Sequence, residues 1–197
     1  MKNKFGELLF QIVPVAIGVF LGYLVSDWSA SKDQQKQEDL LVQNMIAEIK
    51  SNQSKIDEVL EYHVMLRDST RYYLQNAWDG SSNGPRFWRG VNTPTLANSA
   101  FETGIQTGVI NGLELEKIQS LNQTYSYQDN YHDFVQILLS GLITMDFSED
   151  QEAITKILRY INISMTDIVY KEEELLRSYR ESLAQLDPAY IGETEKN

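Results

Sequence analysis

The order of apolar and polar residues divides this chain into an apolar run, a polar connector and three stripes of helical period. Leu8 to Val25 reads LLFQIVPVAIGVFLGYLV, without a charge and with a single amide, Gln11. As a helix those residues rise about 27 Å, and Phe5 to Trp28 covers the ~30 Å hydrocarbon core of a bilayer with some tilt. Tyr23 and Trp28 fall where interfacial aromatic residues sit, and Lys2 and Lys4 flank the other end. Residues 1–28 are therefore expected to be a transmembrane anchor. A cleaved signal peptide fits less well, because cleavage wants small residues just before the cut. A cut after Ala30 leaves Trp28 two residues before it, and one after Ser26 leaves Leu24 there.

The connector SASKDQQKQED has no helix breaker and predicts a solvated helical stalk over 29–41. A heptad stripe then begins: Val42, Met45, Ile49, Asn52, Ile56, Val59, His63, Leu66, Thr70, Tyr73 and Ala77 alternate steps of three and four. The first soluble helix is expected from about residue 30 to 78, ended by the turn-rich Asp79-Gly-Ser-Ser-Asn-Gly-Pro. Thr93 as N-cap and Pro94 in the first turn predict a second helix to about 106, broken at Gly108. Asn111 with Glu114 resembles a capping box and opens a helix to about 145, whose stripe is Ile118, Leu121, Tyr125, Gln128, His132, Val135, Leu139 and Leu142. Ser148 with Gln151 starts the last helix, which runs to about Leu186 along Leu158, Ile161, Met165, Ile168, Glu172, Leu175 and Tyr179.

No segment alternates with period two for long enough to be a strand, so the fold class is all-α: a transmembrane helix followed by an extended bundle of three to four long antiparallel helices. The bundle is expected over 42–186, with a frayed tail at 187–197. If 94–145 forms one broken line, the result is an up-down-up rod in which His63 and His132 stand at different heights. If the chain reverses near Gly108, it is a four-helix bundle with one short member.

Charge sharpens this division. The 197 residues carry a net charge of −11, yet residues 1–30 sum to zero, and the stretch 102–153 holds nine acids against one base, Lys117. Such an excess excludes nucleic-acid binding, which needs clustered Lys and Arg, and leaves either a solvated surface or a docking face for a basic partner. The absence of cysteine excludes disulfides, thiol catalysis and thiolate-bound metal. Lys2, Lys4 and the terminal amine place the N-terminus inside, against the opposing pull of Lys32 and Lys36. Pro14, Gly18, Gly22 and Ser26 recur every four residues and form one narrow stripe on the span. Small residues let a second helix approach closely in lipid, so a protein partner or a second copy is expected there.

The chain has no G-x-S-x-G, P-loop, G-x-G-x-x-G or H-E-x-x-H signature, and no enzyme activity, cofactor or metal is expected. Asp129-x-x-His132 has ligand spacing but lacks the second Glu-x-x-His that a bundle metal site uses. Asn52, His63, His132 and Glu172 all fall on apolar stripes, where a paired polar group sets helix register. If His63 sets register or satisfies a core hydrogen bond, His63→Leu is expected to keep or raise stability; if it is a ligand or proton-sensing site, the same change is expected to lose a function. Arg86, Phe87, Trp88 and Arg89 form the other unusual cluster, read either as a partner contact or as a fold-back that caps the bundle end.

These pieces resemble an uncharacterised family of bacterial single-pass membrane proteins with an N-terminal anchor and a helical soluble domain. The resemblance rests on Gly6-Glu7, Ile17-Gly18 and Trp28, on Glu48 with Asn52, and on Ala100-Phe101-Glu102-Thr103 followed by Gly108, Glu114 and Tyr125. It covers about the first 130 residues and implies no activity and no catalytic residues. The expectation is a non-enzymatic accessory or scaffold subunit of an envelope complex, in the bacterial inner membrane with its N-terminus cytoplasmic and its bundle periplasmic. The alternative is an extracytoplasmic sensor bundle, which the short segment before the span would oblige to signal through a separate membrane partner. The sequence names no small-molecule ligand.

Overall fold

The computed structural model describes residues 3–76, 87–148, 150–187 and 190, with side chains from residue 13 onward. Span and first soluble helix are one element: α1 runs Asn3–Gln75, about 110 Å at ~1.5 Å per residue, with Pro14 inside it. Its apolar N-terminal part is long and apolar enough to cross a membrane, and none of the qualifying window from Val13 is buried. Residues 13–37 are all exposed, and burial begins at Leu41. From there the heptad stripe holds: Met45, Ile49, Asn52, Ile56, His63, Leu66 and Thr70 are each fully buried. Ala77 lies outside the described residues, as do the loop through Arg86 and most of the tail.

The second predicted helix is displaced. Residues 91–98 are not helical, and α2 spans only Ser99–Thr107. Left-handed backbone at Gly90 (φ 88°) and Asn92 (φ 52°) bends the chain into this extended strap, which we define as residues 87–98. The strap descends antiparallel to α1: Tyr62 meets Gly90, Lys55 meets Thr95, and Glu48 meets Ala100. Buried Gly104 continues the descent, with Leu41 packed so close that no larger residue fits without moving it. Gly108, at φ 74°, closes α2 as a left-handed cap.

The chain then reverses through a 3-10 turn, Val109–Gly112, in place of the predicted capping box at Asn111. Helix α3 spans Leu115–Ile143 with Glu114 at its N-cap, where the side chain makes no capping bond. Helix α4 spans Gln151–Leu186, capped by Asp150 rather than Ser148, and its predicted stripe is buried throughout. The fold is thus all-α, with three long α-helices and one short member among the described residues. Helix α4 packs along both α1 and α3, while the strap and α2 occupy the groove between α1 and α3.

Candidate functional site

The strap has few side chains to bury, so its place depends on how its backbone is satisfied. A buried backbone group must find a partner, and here the partners come from side chains on the helices. They form three polar levels along the bundle axis.

At the level nearest the apolar end, Glu48 Oε2 accepts from Ala100 N–H and from Ser99 Oγ, both at 2.9 Å. A carboxylate of α1 thereby serves the N-terminus of α2, where the helix dipole favours negative charge and Asn98 makes no side-chain cap. Glu48 Oε1 accepts from Tyr125 Oη at 2.7 Å, and the Tyr125 ring stacks on Phe101 at 4.2 Å. Burial first, and the Glu48 carboxylate second, push the Tyr125 phenol far up, so it stays a donor. Glu48, Ala100, Phe101 and Tyr125, separate in sequence, meet in this one cluster.

At the middle level Asn52 donates to Ala97 O at 2.7 Å and accepts from Ala97 N–H at 2.9 Å. Gln128 Nε2 donates to the same carbonyl, while its Oε1 accepts from Asn52 Nδ2 and Tyr179 Oη.

At the third level His63 and Glu172 are wholly buried, with Nδ1 to Oε1 at 2.8 Å. His63 Nε2 donates to Val91 O at 2.7 Å, and Tyr131 Oη donates to Glu172 Oε1 at 3.0 Å. Burial, then the Glu172 charge, drive the Tyr131 phenol upward, so it too remains a donor. The other carboxylate oxygen, Oε2, is buried and meets no donor among the described residues. Helices α1, α3 and α4 and the strap therefore converge on one carboxylate and one imidazole.

Of the four predicted seam residues, Asn52, His63 and Glu172 lie in this interior and His132 does not. His132 is exposed, and Tyr131 takes the buried position instead. After Gln128 the stripe of α3 steps by three, to a ring whose hydroxyl reaches Glu172. His63 stands eleven residues beyond Asn52 and His132 four beyond Gln128, so at ~1.5 Å per residue the two histidines lie about 10 Å apart along the bundle axis, and the Tyr131 ring spans the difference to reach Glu172. His132 instead borders a surface cleft of about 240 Å³ with Asp129, Pro94 and Asn98, floored by Gln128 and Tyr131. Among the described residues no group of three His, Asp or Glu side chains is placed to hold a metal.

Of the aromatic cluster, Arg86 lies outside the described residues. Phe87 and Trp88 are half-buried on the core, with Phe87 5.5 Å from the Tyr73 ring, as a fold-back requires. Arg89 is exposed, and its backbone N–H donates to Tyr62 Oη. On the span, Pro14, Gly18, Gly22 and Ser26 are exposed, and a Cβ on either glycine would meet nothing within 4 Å. Lys32 Nζ lies 3.9 Å over the Trp28 ring at the end of the apolar run.

Tyr131 and the strap carbonyls escape a reading of the sequence, whereas Gln128 and Tyr179 lie on stripes where packing accounts for them. Comparison with protein-family models, curated proteins and solved structures finds no match to the chain.

Proposed function

We propose that this chain is a membrane-anchored, non-enzymatic helical domain acting through protein contact, as an accessory or scaffold subunit of an envelope complex. The observation that carries the reading is the continuity of α1. One unbroken helix joins an exposed apolar segment to the centre of a polar bundle. In water that apolar face would be costly to leave uncovered, whereas a bilayer covers it. The buried polar groups of the bundle are largely engaged with one another and with the strap backbone, which suits a structural interior. A single-pass bacterial inner-membrane location, with the N-terminus cytoplasmic and the bundle periplasmic, agrees with this and with the family resemblance.

The partner surface within the bilayer is the stripe of Pro14, Gly18, Gly22 and Ser26, whether it meets another protein or a second copy. Protease protection on intact cells and inverted vesicles tests the placement. Digestion of the bundle from the outer side of the membrane is expected, and digestion only from the cytoplasmic side would overturn it. A partner that co-purifies from detergent at fixed stoichiometry supports the accessory role.

A second reading, a sensor bundle signalling through a separate membrane protein, is favoured by one feature. The hydrogen-bonded pair His63–Glu172 sits inside the core, where the same register could be held by cheaper apolar packing.

A further inference from the structure

The His63–Glu172 pair admits a definite proton count. A carbonyl oxygen only accepts, so the 2.7 Å contact of His63 Nε2 with Val91 O requires a hydrogen on Nε2. The 2.8 Å contact of Nδ1 with Glu172 Oε1 requires one more hydrogen between them, drawn on either atom. The two side chains together are then electrically neutral, which is what a fully buried site demands. One proton more leaves a buried positive charge and protonates Oε2, which meets no partner among the described residues. One proton fewer sets two lone pairs against each other, either at Oε1 or at the Val91 carbonyl.

The surroundings offer little relief to either altered state. From α1, Tyr62 faces His63 with ring centres 5.6 Å apart, and its hydroxyl is engaged with Gly90 O. Arg67, one turn further along, bonds Asp68 at 2.8 Å. From α3 comes Tyr131, already donating to Oε1, and from α4 Tyr179, whose hydroxyl is committed to Gln128. The strap presents the carbonyls of Gly90 and Val91, and the Arg89 N–H is taken by Tyr62 Oη. Among the described residues His63 is the ion-pair partner of Glu172.

We infer that the proton shared by His63 and Glu172 fastens the strap to the bundle, and that gaining or losing one proton at this pair releases it. The inference concerns the bundle interior and is independent of which partner the anchor meets. Release frees Val91 O, opens the groove between α1 and α3, and exposes the face that Trp88 covers. The helices, held by their own ladders and by the apolar core, persist.

The test uses the full chain in nanodiscs with Trp28→Phe and Trp78→Phe, which leaves Trp88 as the only indole. Trp88 emission is followed from alkaline to acid pH beside helical circular dichroism. A reversible red shift at both ends, with the helical signal retained, is expected. Glu172→Gln puts a non-titrating amide against Nδ1, so the alkaline shift should vanish and the acid shift should occur at a less acidic pH. Constant emission, a shift that always accompanies loss of helix, or a Glu172→Gln curve superimposed on that of the parent would each overturn the inference. Should that variant not fold, ¹⁵N spectra of the His63 ring in a His132→Gln background decide the matter. A proton on Nε2 throughout the fastened state is expected, and a bare Nε2 there would refute it.

Discussion

Asn52 pairs with Ala97 as one strand pairs with another: its side-chain amide donates to the carbonyl and accepts from the N–H of the same residue. An amide alone matches that donor–acceptor pair, which explains a buried asparagine in the middle of a heptad stripe. Asn52→Leu removes both bonds and leaves the Ala97 N–H without its partner, at a cost of about 1–3 kcal/mol. Asn52→Asp keeps an acceptor for the N–H but turns a second oxygen on the carbonyl, and should do no better. Urea denaturation gives the loss, and faster exchange of the Ala97 amide in both variants locates it.

The pairing of His63 with Glu172 reverses the expectation that His63→Leu is harmless. Leucine there would leave Glu172 buried with only the Tyr131 hydroxyl, and breaking such a pair costs ~3–5 kcal/mol. Replacing both, as His63→Leu with Glu172→Met, removes the stranded charge and should restore most of that loss. A double-mutant cycle by chemical denaturation checks it, with a double variant clearly more stable than His63→Leu as the expected sign.

Asp150 makes the start of α4 sensitive to acid. Its carboxylate accepts from Ser148 Oγ and from Ala153 N–H, and these bonds hold its ionisation below the usual aspartate range. A depressed folded value means that the cap contributes fully above the ordinary aspartate range and is lost as pH falls through the folded value. The protection of the Ala153 amide, its exchange rate relative to an unstructured chain at the same pH, should therefore fall on acidification, and Asp150→Ala should lack that protection at every pH while the middle of α4 stays protected.

The glycines of the span separate anchoring from folding. Since a side chain at Gly18 or Gly22 meets nothing in the bundle, Gly18→Ile with Gly22→Ile should leave its denaturation midpoint unchanged. The same change should abolish crosslinking within the membrane if that stripe is the partner surface. An unaltered crosslink would place the contact elsewhere.

What the sequence reveals and what it hides follow from the range of the forces involved. Heptad spacing is local, so the stripes of α1 and α4 were legible nearly residue by residue. The strap was not, because Thr93-Pro94 suits a helix start and an extended turn equally well, and the choice is made by distant residues. Asn52, Lys55, Tyr62, His63 and Gln128 take up its backbone groups from two other elements. A step of four after Gln128 likewise put His132 on the seam, whereas the helix advances by three and buries Tyr131. The carboxylate of Glu172, on another helix, receives the tyrosine hydroxyl, a contact that spacing along α3 does not reveal.

The unbroken passage of α1 from its apolar end into the core sets the compass bearing of the whole bundle. Each helical residue turns the chain by about 100°, so the exposed stretch between Trp28 and Glu38 decides which side faces any neighbour beside the apolar segment. A single residue inserted there would swing the bundle by more than a quarter turn about the α1 axis without disturbing one buried contact. Seven would nearly return it to its original heading, about 10 Å further out. Stalk length in this protein is therefore a matter of phase as much as of reach.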